Sequence, residues 1–217
     1  MRQILISLFL RDIKAFSLGT GGLLPFLFFL VIALLYPFAV GSDPILLAKT
    51  GGGVLWIAAL LSALLPLDRL ILPDVRLGFF DQLHLRGISE ELVIAVRLLA
   101  HWLSFAPLLI FTCFPAAILL NLDKTTLVIL ITGLLAGTPG LAAVGLIVSA
   151  ITAGLRASTA LYGLLLIPLT IPILIFGAGA ISRNDVTSVV FAASISLFLV
   201  AITPFVAGVA IRAEREN

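Results

Sequence analysis

Long apolar runs separated by short polar breaks dominate the sequence. Six of these runs are long enough to cross a bilayer as helices, because a transmembrane helix needs about 20 apolar residues. The predicted spans are residues 23–40, 51–67, 92–120, 126–150, 159–181 and 188–211. We therefore predict an all-α integral membrane protein in which six transmembrane helices form a single domain over residues 1–217.

The residues ahead of the first span, 1–19, have the period of an amphipathic helix. One face is apolar, and the opposite face is polar and cationic. The apolar face holds Leu5, Phe9, Ile13 and Phe16, and the polar face holds Gln3, Ser7, Arg11 and Lys14. Such a helix lies in the membrane interface with its cations near lipid phosphates. The alternative is a frayed flanking segment.

The longest polar passage, residues 68–91, connects the second and third spans. Its eight charged residues are Asp68, Arg69, Asp74, Arg76, Asp81, Arg86, Glu90 and Glu91. Within this passage the pattern predicts one short amphipathic helix over residues 75–86. Its apolar side comprises Val75, Phe79, Phe80 and Leu83. A helix of this kind lies on a membrane surface or against a protein partner, and it does not cross the bilayer.

The composition supports the membrane assignment and indicates an orientation. Charged residues make up only 11% of the chain, whereas soluble domains contain about 25%. Ten basic residues fall on one side of the predicted bundle: Arg2, Arg11, Lys14, Arg69, Arg76, Arg86, Arg97, Arg156, Arg212 and Arg215. Three fall on the other: Lys49, Lys124 and Arg183. The positive-inside rule therefore places both termini and residues 68–91 in the cytoplasm. The net charge of +2 gives no indication of nucleic-acid binding.

Small residues and prolines inside the spans are candidate packing or hinge positions. In the fourth span they are Gly133, Gly137, Pro139 and Gly140, and in the fifth they are Pro168, Thr170 and Pro172. The GxxxG spacing favours close helix packing, either within the bundle or between two copies of the chain. The two prolines of the fifth span bend the helix into a hinge or simply a shape. Thr170 is positioned to bond a carbonyl that they free.

Ionisable residues begin the third span. Ser89 is a predicted N-cap, and Glu90 and Glu91 favour the positive end of the helix dipole. We expect Arg97 to extend its charge to the cytoplasmic face. His101 lies one turn deeper, where an imidazole can ligate haem iron, relay a proton or serve as a hydrogen-bonded packing residue.

Several catalytic signatures do not occur in the sequence. It contains no GxxxxGK[ST] phosphate loop, no HExxH and no GxSxG motif. Cys113 is the only cysteine, which excludes an internal disulfide and a cysteine-based metal cage. We therefore expect a protein that is not itself an enzyme, with any energy supplied by another chain.

Short passages in order along the chain resemble the CcmB family, the B subunit of the bacterial haem exporter in cytochrome c maturation. They are Trp56–Ser62, Asp68–Arg69, Asp81–Leu83, Ala100–Trp102, Gly137–Pro139 and Leu169–Phe176. The resemblance covers nearly the whole chain. It includes the chain length, the order of the spans and the short stretches of similar sequence. The sequence departs from the family pattern at residues 72–80. These residues are more apolar than those that usually precede the family's Asp/Glu-Gln-Leu triplet.

The resemblance implies an ABC-2-type permease subunit in the bacterial inner membrane. In such subunits a cytoplasmic coupling helix between spans 2 and 3 contacts a separate ATP-binding subunit. The contact residues implied here are Asp68, Arg69, Phe79, Phe80, Asp81, Gln82 and Leu83. The implied partners are a CcmA-like ATPase, CcmC-like and CcmD-like membrane subunits and the haem chaperone CcmE. ATP would act through the ATPase, and haem would be cargo.

Three hypotheses follow. The leading one is a membrane subunit that couples ATP hydrolysis by its partner to release of the haem-loaded chaperone. The second is a haem-binding scaffold that does not transport and that uses His101. The third is an ABC-2 permease for another substrate, such as a lipid or a drug.

Overall fold

The computed structural model describes residues 2–17, 20–41, 43–65, 67–153 and 159–215. These residues form helices joined by short turns, and no strand occurs among them. The helices are α1 (Arg2–Ser17), α2 (Thr20–Val40), α3 (Pro44–Leu64), α4 (Leu67–Leu70), α5 (Leu72–Arg76), α6 (Phe79–His84), α7 (Glu90–Leu119), α8 (Lys124–Ala153), α9 (Thr159–Arg183) and α10 (Val186–Arg215).

Six helices, α2, α3 and α7 to α10, are long and apolar enough to cross a membrane. This confirms the predicted six-helix class. The second span begins earlier than predicted, at Pro44 instead of residue 51. The Asp43 side chain caps α3 by accepting a hydrogen bond from the Ile45 N–H at 2.9 Å, and proline suits the first helical position. The glycines at 51–53 therefore lie inside the helix. There Gly51 and Gly52 allow close approach of the neighbouring helices.

Three connections, α2–α3, α7–α8 and α9–α10, are short, so the two spans that each of them joins are antiparallel. The connections α2–α3, α7–α8 and α9–α10 consequently share one end of the bundle. A Cβ on Gly51 would lie 3.0 Å from Leu120, and one on Gly52 would lie 2.8 Å from Ile181, which brings these three connections together. The segment of α4, α5 and α6 lies at the opposite end with α1.

Helix α8 runs through the centre of the bundle. Every residue from Gly140 to Ala150 is buried, and α8 contacts α3, α7, α9 and α10. The outer helices instead expose large apolar side chains, for example Phe38 on α2, Leu164 on α9 and Leu197 on α10. Because these helices are long enough to span a membrane, we assign the exposed apolar faces to lipid or to neighbouring subunits.

Two glycines of α8 leave the space that the indole of Trp56 occupies. Gly133 and Gly137 face this α3 side chain, and a Cβ on Gly137 would lie only 2.6 Å from the indole. Gly177 on α9 approaches the same ring from the other side. The GxxxG pair thus packs within the chain, and a second copy has no access to it. Gly140, one turn further on, meets Ile173 and Ser196 in the same close way.

Helix α9 continues through both of its prolines, Pro168 and Pro172. The Thr170 hydroxyl bonds the carbonyl oxygens of Leu166 and Ile167, both at 3.0 Å. The carbonyls that the prolines leave without a donor lie four residues before each of them, so these are different groups. The prediction that Thr170 replaces a lost proline bond is therefore wrong. The Thr170 hydroxyl instead bonds carbonyl oxygens of the preceding turn of its own helix, as buried threonines in helices do.

A methyl group at Gly177 should destabilise the bundle. We expect Gly177→Ala to lower the free energy of unfolding by about 1–3 kcal/mol, the usual cost of overpacking a core. Thermal unfolding of the purified protein in detergent measures this loss. The matched control is Gly163→Ala on the same helix, where a Cβ meets nothing within 4 Å. In a Trp56→Leu background the effect of Gly177→Ala should shrink. Equal effects in both backgrounds would contradict the packing described here.

Candidate functional site

The segment between the second and third spans contains three short helices, not the single predicted one. Helices α5 and α6 are separated by Leu77 and Gly78, and Gly78 has a φ of +64°. This left-handed conformation suits glycine and ends α5. The Gly78 N–H donates to the Val75 carbonyl at 3.0 Å, while the Gly78 carbonyl accepts from the Gln82 N–H at 3.2 Å and starts α6. The turn changes the direction of the chain between the two helices.

The segment nevertheless has the two predicted faces. Phe80 and Leu83 are buried in the common core, and Val75 and Phe79 are half-buried against it. The residues on the outer face are exposed: Asp68, Arg69, Arg76, Asp81, Gln82 and His84. The amphipathic interpretation of the sequence is therefore confirmed, although the helix is interrupted.

Arg97 of α7 joins this segment to the rest of the protein. Its side chain is only 1% exposed, so the expectation that it extends to the cytoplasmic face is wrong. The guanidinium donates from Nε to Asp12 of α1 at 3.0 Å and from Nη1 to the Leu70 carbonyl at 2.9 Å. Its Nη2 donates to Asp74 of α5. One buried cation thus binds α1, α4 and α5 to the third span.

Arg11 completes this ion cluster, which comprises Arg11, Asp12, Asp74 and Arg97. Its guanidinium donates to Asp12 and to Asp74, each at 2.7 Å, and lies 4.0 Å from the ring centroid of Phe79. Burial disfavours the charged form of Arg11. The hydrogen bond to Asp12 and the charges of both carboxylates outweigh this, so the pKa of Arg11 is raised above its ordinary value. Two cations and two anions balance the cluster.

Asp12 was not singled out from the sequence, although a signal for it was present. It lies seven residues after Leu5 and four before Phe16, on the apolar face predicted for residues 1–19. In the structure Leu8 and Asp12 are buried on this face, and the predicted polar positions Gln3, Ser7, Arg11 and Lys14 are exposed. A carboxylate on an apolar helix face requires a buried partner. Arg97 supplies it.

A second ion cluster holds the start of α7. Ser89 caps the helix by accepting a hydrogen bond from the Leu92 N–H at 3.4 Å, as predicted. Glu90, which is 3% exposed, lies 3.1 Å from Nδ1 of His84 and 3.4 Å from Arg212. Arg212 also binds Glu91. The end of α6 and the last turns of α10 are thereby connected to the same helix as Arg97.

His101 is buried between aromatic rings. Its ring is 5.9 Å from Phe16 and 5.0 Å from Phe105, measured between centroids. Its Nε2 faces Gly145, with 3.9 Å to the place a Cβ would occupy, and has no hydrogen-bond partner among the described residues. The neighbouring Trp102 donates its indole N–H to Thr138 at 3.0 Å and joins α7 to α8.

Comparison with known proteins identifies the family. The model described as "CcmB protein" matches residues 3–214. The chain belongs to the CcmB family. It is 38% identical to heme exporter protein B of Paracoccus denitrificans over 212 residues, which is 95% of this chain and 97% of that protein. The namesake from Bradyrhizobium diazoefficiens is 39% identical over 215 residues, 96% of this chain and 97% of the relative.

A more distant relative shows the same name. Heme exporter protein B of Escherichia coli K12 is 36% identical over 157 residues, 72% of this chain and 71% of that protein. Together with the six spans, these matches confirm the resemblance inferred from Trp56–Ser62, Asp68–Arg69 and the other short passages. The chain is a multi-pass membrane protein of this family.

Removal of the Arg97 charge should be severely destabilising. Arg97→Met leaves the buried carboxylate of Asp12 with only the half-exposed Arg11 as its cation, and we expect a loss of about 3–5 kcal/mol in the free energy of unfolding. The control, Arg76→Met, makes the same change at an exposed position of α5 and should have little effect. In an Asp12→Asn background the Arg97→Met effect should be smaller by about 0.5–3 kcal/mol. Additive losses in the double variant would show that the two residues act independently.

Proposed function

We propose that this chain is the permease subunit of a haem exporter in the bacterial inner membrane. The support is its membership of the CcmB family and the name heme exporter protein B carried by its relatives. In this proposal a CcmA-like subunit hydrolyses ATP, and the complex also contains CcmC-like and CcmD-like membrane subunits. ATP hydrolysis serves cytochrome c maturation by releasing the haem-loaded chaperone CcmE. Both termini of the chain lie in the cytoplasm.

The outer face of α4–α6 is the proposed docking site for the ATP-binding subunit. Polar side chains on it, including Asp81 and Gln82, point away from the core. Leu77 and Leu85, on either side of α6, are 74% and 87% exposed. Large apolar side chains next to polar ones are typical of the surface that a partner protein covers. A cytoplasmic location of this face follows from the distribution of basic residues.

The buried ion cluster around Arg97 is the observation that carries the proposed coupling. A force applied to α5 and α6 reaches α7 and α1 through Arg97, because its guanidinium binds Asp74 and Asp12 at once. The second cluster conveys the same displacement to α10 through Arg212. A cavity of about 380 Å³ beside the first cluster provides space for its side chains to rearrange. Movement of the segment is thus converted into movement of three helices.

Haem enters this proposal as cargo of the complex and not as a resident cofactor. His101, on which the scaffold hypothesis depends, packs against the rings of Phe16 and Phe105. A permease for another substrate would use the same coupling. The names of the relatives favour haem.

Site-specific crosslinking tests the docking face. With Cys113 replaced by serine, a single cysteine at Asp81 should crosslink to the ATP-binding subunit in isolated membranes. The yield should change when ATP or a nonhydrolysable analogue is added. A cysteine at Lys124, exposed at the opposite end of the bundle, is the matched control and should give no crosslink. If Asp81 gives no crosslink while the complex still assembles, the ATPase docks elsewhere.

Charge reversal on the same face tests its function. We expect Asp81→Arg to reduce the yield of mature c-type cytochrome severalfold, because it places a repulsive charge in the proposed interface. Membrane insertion and thermal stability should be unchanged, since the side chain is exposed. Lys124→Glu, a charge reversal at the other end, should leave the yield as it is. A normal yield from the Asp81 variant would contradict the coupling role of this face.

A further inference from the structure

The outward face of α7 carries an apolar groove beside α1. This depression, of about 690 Å³, lies between the first half of α1 and the third span. Its lining is formed by Arg2, Leu5, Ile6, Phe9, Val96 and Leu99. Among the described residues, Arg2 is the only charged one in that lining, and it belongs to the first turn of α1. The groove is therefore apolar along its length and cationic at one point.

A second depression adjoins the first. It measures about 240 Å³ and lies where α7, α8 and α10 meet. Among its lining residues are Leu98, Leu99, Trp102, Pro139, Leu197 and Val200. Leu99 lines both depressions and is 48% exposed. The two apolar depressions thus share one exposed leucine on the surface of the protein.

The lining residues of α7 lie in the first part of the third span. The lining residues of α7, from Ala95 to Trp102, lie roughly 8–18 Å from the start of the helix at Glu90, at 1.5 Å per residue. A lipid at this depth has its phosphate near the end of the span and its acyl chains beside the following turns. Arg2 lines the groove together with Val96 and Leu99 of these turns.

We propose that this face binds one anionic phospholipid, with its phosphate at Arg2 and its two acyl chains in the two depressions. A basic side chain near a membrane surface attracts anionic headgroups. The salt bridges among the described residues do not include Arg2, so that its charge is available for a ligand. This assignment is independent of the export function proposed above.

The lining favours acyl chains over a transmembrane helix of a partner. Helices approach one another in membranes through small residues, which permit close backbone contact. Here the lining consists mainly of Leu, Ile, Phe, Val and Trp side chains, and the small-residue surface of α8 is already filled by Trp56. Flexible acyl chains can fill irregular depressions between such bulky side chains.

Native mass spectrometry tests the site on the purified full-length chain. The protein is equilibrated in mixed micelles with equal amounts of phosphatidylglycerol and phosphatidylcholine of the same acyl composition, and the lipid retained per chain is counted. We expect one retained lipid, with about a fivefold preference for phosphatidylglycerol from one basic residue. Arg2→Gln should reduce the ratio of the two lipids to near one, and Arg2→Lys should preserve the preference.

A cavity-filling substitution separates the acyl site from general lipid contact. Leu99→Trp should remove the retained lipid whatever its headgroup, because the indole occupies the junction of the two depressions. Leu103→Trp, one turn further along α7 and outside both linings, is the control and should retain it. Thermal unfolding establishes that both variants are folded.

Two results would overturn the proposal. Equal retention of lipid by the Leu99→Trp variant and the parent would place the bound lipid elsewhere. Loss of a membrane subunit from the purified complex in the Leu99→Trp variant, with lipid retention unchanged, would assign the groove to a partner helix instead.

Discussion

The buried guanidinium of Arg97 is the constraint on which the end of the bundle that carries α1 and α4–α6 depends. A cation removed from water requires nearly complete compensation, and two carboxylates and a carbonyl from three different elements provide it. Asp12 and Asp74 are held in place by the same requirement. The positions of α1 and α5 are therefore coupled, because both helices bind the same guanidinium. Neither element can move without disturbing the other.

Packing in the middle of the bundle follows a different rule. There the close approach of Trp56 to Gly137 and Gly177 fixes how α3, α8 and α9 fit together, and no charge is involved. The shapes of the packed side chains fix the centre of the membrane domain, while electrostatic compensation fixes the end that carries α1 and α4–α6. This division agrees with a subunit in which the bundle provides a rigid frame and the ion clusters connect that frame to a surface segment.

Sequence pattern was sufficient for the six spans, the two faces of the segment and the cap at Ser89, because each depends on neighbours within a few turns. It was insufficient for Arg97 and Asp12, which are 85 positions apart, since no local period reveals such a pairing. The start of α3 was missed because the glycines at 51–53 resemble a break until the helices that they face are known. For His101, the sequence indicated a buried ionisable group but not the aromatic rings that surround it.

The 85 positions between Asp12 and Arg97 also have a consequence for biogenesis. At 5–20 residues per second, the ribosome adds Arg97 roughly 4–17 s after Asp12. During this interval the only partner of the carboxylate within the cluster is its neighbour Arg11, and both charges must remain hydrated. The N-terminal helix therefore waits at the water-facing boundary while the first two spans insert, and it docks only when the third arrives. The ion cluster can thus form only after the first three of the six spans have inserted.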